Sequence, residues 1–206
     1  MIFLDSKTSQ IVWFKFISFE TKFEYQQGLE FLLKLGFEIL SVTIDGRIGI
    51  PSVFGVFPIQ ICQFHQIQIV NRYLTKNPKL QASKELKTII EDLTIMNQIG
   101  FESRFKYYLE INQEFIDEKT INPETGRSIY KHKKLRSAAN SIKNNLKYLF
   151  TCRNHPSLNI PNTTNHIDGG VNPKLRELVR THRGLRKDRR NKILSILLNS
   201  LGRNKP

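Results

Sequence analysis

At Ala82 the sequence changes texture, and the change limits what the chain can build. Before it, short β-branched and aromatic runs alternate with stretches of helical spacing. Ile2–Leu4 and Ile11–Ile17, parted by the polar turn of residues 5–10, read as a β-hairpin. Thr21 and Glu24 form a capping box ahead of Tyr25, Leu29, Leu32 and Leu33, with Gly36 just past the last apolar position, so a helix with both end signals is expected. A strand is expected over residues 37–44, ending at Asp45-Gly46, then a shorter one at Ile59–Ile61, then a helix over Phe64–Leu74 before the breaker Thr75-Lys76-Asn77-Pro78. From residue 82 the segments 83–99, 101–116 and 128–150 all read as helices. Such a block of roughly seventy residues is far longer than a loop and reads as an all-helical insertion into an α/β domain. The expected fold is therefore α/β, a mixed sheet carrying this insertion, with parts 1–81, 82–158 and 159–206.

Charge divides the chain differently. Residues 1–126 hold 13 Lys and Arg against 15 Asp and Glu, whereas residues 127–206 hold 19 against 3. The whole net charge of +14 thus arises in the last 80 residues, a field that attracts a polyanion. No apolar run is long enough to span a bilayer and no basic helix carries an aromatic face, which favours nucleic acid over a membrane surface. The first residues lack the pattern of a secretory leader, and two cysteines make no disulfide framework, so a reducing, cytoplasmic setting is expected.

Three constellations could carry chemistry. Asp45 ends an apolar strand, where open α/β sheets place ligands, and its alternative is a plain Asp-Gly turn. Asp168 stands before Gly169-Gly170 in NTTNHIDGGVNPKLRELVRTHRG, at the head of a helix carrying Lys174, Arg176, Arg180 and Arg183. It could hold a metal ion beside phosphates neutralised by those cations, or merely cap the helix. Lys131, Lys133, Lys134, Arg136, Lys143 and Lys147 form a basic helix that is either a plain solvated face or a phosphate-tracking surface, and the absence of balancing carboxylates along it favours the second. Cys62-x-x-His65 and Cys152-x-x-His155 offer zinc-type ligands, but their wide separation argues against a Zn²⁺ site and for a buried Cys62. No nucleotide-binding glycine loop or nucleophile elbow is present.

Three stretches, VTIDG, FPIQICQFHQIQIVNRYLTKNPKL and LNIPNTTNHIDGGVNPKLRELVRTHRGL, resemble bacterial insertion-sequence transposases of the mutator-like DDE type. The likeness implies a ribonuclease H-like sheet with a helical insertion between the second and third metal-binding acids. It makes Asp45 the second acid, Asp168 the third, and Cys62 and His65 the C-x-x-H element after the second. It also implies Mg²⁺ or Mn²⁺ as cofactor, DNA at transposon ends and target as partner, association of the complete protein into homo-oligomers and a nucleoid-associated location. The chain departs from the pattern in two ways. The strand bearing the first acid is not found ahead of the hairpin, and Asp168 replaces the usual Glu. The expectation is a transposase-type protein that binds DNA and, in this form, transfers strands little or not at all, the alternatives being a non-catalytic DNA-binding remnant or a zinc-stabilised module.

Overall fold

The computed structural model describes residues 1–47 and 49–202, and the chain packs as two compact units. The first comprises Met1–Val42, Arg47–Pro58 and Thr163–Pro206, and the second Thr43–Gly46 and Ile59–Asn162. By packing, then, the segment 59–81 groups with the helices of residues 82–158, while the C-terminal helices group with the N-terminal hairpin.

In the first unit, β1 (Ile2–Asp5) pairs antiparallel with β2 (Gln10–Phe14), with a bulge where the register shifts between Phe3 and Leu4. Both strands read as unbroken apolar runs because both faces are covered. The Phe3 and Trp13 rings meet at 5.0 Å, tilted by 49°, and lie against Gly28 of α1 (Lys22–Lys34), where a Cβ would stand 2.8 Å from either ring. The opposite face sets Ile11 into a cluster with Val171 and Leu198, flanked by Ile2, Leu4 and Phe14. The N-cap half of the expected capping box forms, the Thr21 hydroxyl accepting from the Glu24 amide at 3.3 Å, while the Glu24 carboxylate turns to Lys15 at 2.6 Å. At the other end Gly36, at φ +84°, donates to the Leu33 carbonyl while Phe37 reaches back to Leu32, the paired bonds of a Schellman stop.

In the second unit, β4 (Ile59–Ile61) leads into α2 (Gln63–Leu74), and α3 (Gln81–Glu91), α4 (Gln98–Ile116) and α5 (Lys133–Leu149) follow. A short α6 (Thr151–Asn154) comes after α5. Leu135, Ala138, Ala139, Ile142 and Leu149 are the buried stripe of α5, and the two alanines let its backbone approach α2 closely. Each buried Leu or Ile contributes about 1.5–3 kcal/mol relative to exposure. Phe101 and Phe150, both essentially buried, meet at 5.5 Å and tie α4 to the end of α5.

The protein is thus mixed α/β with small sheets, and three details differ from the sequence expectation. The strand expected over 37–44 forms only as β3 (Val42–Ile44), which pairs with β4, and Phe37 and Leu40 stay exposed ahead of it. The helix expected over 83–99 breaks after Glu91 into a 3₁₀ turn, and α4 restarts where the Asn97 side chain accepts from the Gly100 amide at 2.8 Å. The insertion is not all helical: β5 (Lys119–Ile121) and β6 (Ser128–Tyr130) form an antiparallel hairpin. Asn122-Pro123 is its turn, closed by the Asn122 side chain accepting from the Glu124 amide and by Gly126 at φ +63°. Among the described residues no helix is long and apolar enough to cross a membrane.

The two acids and the basic surface

Asp45 follows β3 directly and is exposed. The Val42 amide donates to the Pro58 carbonyl and the Cys62 amide to the Ile44 carbonyl, so residue numbers rise together on both strands, as in a parallel pair. The carboxyl ends of β3 and β4 therefore lie side by side, placing Asp45 at the end of the pair from which α2 departs. Gly46 makes the turn at φ +82°, and a Cβ there would sit 3.0 Å from an Ile61 methyl, so the bend favours glycine after Asp45. At the head of α2, Cys62 is 1% exposed and behaves as a small core group, with His65 one turn further on and half-buried. Cys152 is half-buried, its thiol pushed up by burial, and His155 is exposed.

Asp168 lies in the first unit, in a π-helical turn His166–Val171 that runs into α7 (Asn172–Thr181). It does not cap the helix from outside. Its Oδ2 accepts from the Thr164 hydroxyl at 2.7 Å and its Oδ1 from the Asn172 amide at 3.2 Å, so it braces the turn four residues in each direction. A Cβ at Gly169 would fall 2.7 Å from the side-chain oxygen of the exposed Asn165, which would have to swing aside. A cleft of about 430 Å³ opens beside this turn, where the Ser9 hydroxyl meets His166 Nδ1 at 3.2 Å and Lys174 forms part of the wall.

Among the described residues no three His, Cys, Asp or Glu side chains come together as a metal-holding group. The oxygen donors of Asp45 and Asp168 suit a hard cation such as Mg²⁺.

The basic surface is more selective than the sequence implied, because carboxylates absent nearby in sequence arrive from the end of α4. Lys131, in the turn before α5 rather than on it, pairs with Glu118 at 2.7 Å, and His132 meets the same carboxylate at 3.0 Å. Arg136 pairs with Asp117 at 2.9 Å and lays its guanidinium 3.9 Å from the Tyr130 ring centre. The hydrogen bond from Arg136, reinforced by Gln113, holds the Asp117 carboxyl below its usual range, and those from Lys131 and His132 do the same for Glu118. Arg180 forms a fork to Glu177 at 2.8 and 3.0 Å, and Arg176 turns back on the Asn172 carbonyl. Lys147 lies over the Tyr148 ring. Lys133, Lys134, Lys143, Lys174 and Arg183 are exposed and have no carboxylate partner among the described residues. α8 (Lys187–Gly202) adds Lys187, Arg189 and Lys192, also exposed.

One polar network escaped the sequence reading. Gln60, Gln63 and Gln66 are fully buried. The Gln60 and Gln63 amides both donate to the Leu149 carbonyl, at 2.9 and 2.8 Å, while the Gln60 oxygen accepts from the Cys152 amide at 2.8 Å. Gln66 bonds Ser141 and Asn145 on α5. The signal was present as glutamines at positions 60, 63 and 66 interleaved with Ile59, Ile61, Cys62, Phe64 and Ile67. No protein-family model, no curated protein and no solved structure matches the chain.

Proposed function

We propose that the protein binds DNA and is of the DDE transposase type, an incomplete ribonuclease H-like domain carrying an insertion, with Asp45 and Asp168 in the positions of the second and third metal-binding acids. The observation that carries DNA binding is the excess of 19 basic over 3 acidic residues after position 126, among which Lys133, Lys134, Lys143, Lys174 and Arg183 keep exposed cations with no carboxylate partner among the described residues. Support for the strand-end assignment of Asp45 comes from the parallel pair it terminates, since open α/β sheets hold ligands at the carboxyl ends of their strands. The motif resemblance adds the reaction class, which is metal-dependent cleavage and transfer of a DNA strand.

A second reading, a DNA-binding protein without catalysis, is favoured by the bracing of Asp168: both of its oxygens already serve Thr164 and Asn172. Titration of a labelled duplex by fluorescence anisotropy tests the shared part. Five phosphate contacts at about −0.9 each predict a log–log salt slope of about −4.5. Affinity that ignores salt would remove the DNA reading. A plasmid-nicking assay in Mg²⁺ or Mn²⁺ separates the two readings, because turnover abolished by Asp45→Ala supports the catalytic one. Binding unchanged by Asp45→Ala and Asp168→Ala, with no nicking, supports the other.

A further inference from the structure

Within the second unit, a groove of about 670 Å³ runs between the end of α2, the start of α3, the β5–β6 hairpin and the start of α5. Its lining includes Lys79, Lys131, Lys133 and Lys134 and not one Asp or Glu. Lys131 is spent on Glu118, and the other three have no carboxylate partner among the described residues. First-turn residues of α3 and α5 form part of the wall, and neither helix has a side-chain cap, so two sets of N-terminal amides add positive potential. The end of α2 contributes the opposite sign, about half a charge against two such halves, and leaves the balance positive. The floor and edges are apolar: Leu80 is 41% exposed and Tyr73 38%, whereas the Tyr130 ring is already occupied by Arg136.

We propose that this groove takes a single-stranded segment of nucleic acid, its phosphates on Lys79, Lys133 and Lys134 and a base on the ring of Tyr73. The inference rests on the DNA-binding reading above and assigns one subsite within it. A duplex keeps its bases stacked inside and offers a protein mainly phosphate and groove edges, so an exposed aromatic ring in a cationic cleft gains nothing from it. A strand with unpaired bases gains one stack, and every base has a face to offer, so the site is tolerant of sequence. An acidic peptide would use the lysines but leave the ring idle.

The test uses the full chain with a labelled twelve-residue oligothymidylate and, separately, a duplex of equal length. Tyr73→Ala is expected to weaken the single strand about 10-fold and the duplex less than 2-fold, with Tyr73→Phe restoring the wild-type value. Replacing Lys133 and Lys134 together with Ala should lower the single-strand salt slope by about 1.4. Photo-crosslinking through 5-iododeoxyuridine should label the peptide holding Tyr73 or that holding Lys133. Duplex binding that stays intact while Tyr73→Ala leaves the single strand untouched overturns the groove alone, as does crosslinking confined to residues 172–192. Equal competition by polyglutamate, indifferent to Tyr73, also overturns it. Absence of binding to either nucleic acid overturns both this inference and the DNA-binding reading.

Discussion

Gln60 and Gln63 share one acceptor, and their sharing has a measurable signature. The Leu149 carbonyl belongs to the last turn of α5, where helix carbonyls lose their own partners, and it is served by both glutamine amides. Replacing either residue with Met keeps the volume and removes the amide, yet leaves the carbonyl one donor. Gln60→Met also strips the Cys152 amide of its acceptor, and Gln63→Met strips the Asn162 side chain. Each single change should therefore cost about 2 kcal/mol, the usual penalty for a buried group left unsatisfied. Only the double variant orphans the carbonyl, which adds a coupling of about 1–2 kcal/mol beyond the sum. Urea unfolding followed by far-UV circular dichroism gives the four stabilities, with sucrose present throughout to keep the double variant folded. Additivity to within about 0.5 kcal/mol would refute the shared-acceptor argument, since independent sites add to that precision.

Two further outcomes follow from named contacts. Gly28→Ala places a methyl 2.8 Å from the Phe3 and Trp13 rings, so the hairpin must shift away from α1. A loss of about 1–3 kcal/mol is expected, with a change in the fluorescence of Trp13, the sole tryptophan; unchanged emission and stability would show the rings yield freely. Asp117 and Glu118 are held below their ordinary carboxylate range by Arg136, Lys131 and His132, so their contribution is present above about pH 4 and is lost as pH falls through their lowered values. The melting difference between the wild type and Arg136→Met should accordingly shrink on acidification below that range, and a difference that persists at pH 2 would exclude the carboxylate as its source.

The local elements were legible wherever short-range chemistry decides them. Thr21 and Glu24 announced one helix start and Gly36 its stop, because caps are satisfied within a few residues of chain. The hairpin showed itself in the apolar runs around residues 5–10, and the buried stripe of α5 in its helical spacing. Residues 128–130, expected within a helix, form a strand instead, since Ser-Ile-Tyr fits helix or strand and only pairing with Lys119–Ile121 decides. The acids were visible as candidates, while their surroundings were not: Asp45 at the end of a parallel pair and Asp168 braced by Thr164 and Asn172 are arrangements that require folded neighbours.

The amino-acid order alone determined the mixture of strand and helix, the concentration of positive charge after residue 126 and the start and stop of the helix between Thr21 and Gly36, all properties of composition or of neighbours along the chain. Tertiary structure decided which cations remain available and which polar groups hold the core. Glu118 and Asp117 reach Lys131 and Arg136 only because the β5–β6 hairpin folds the chain back, and Gln60 meets Leu149 across 89 positions only because β4 packs beneath the end of α5. Hydrogen bonding acts within a few ångströms and salt-screened attraction between charges within about 10 Å, both indifferent to separation in sequence, so these choices belong to the fold.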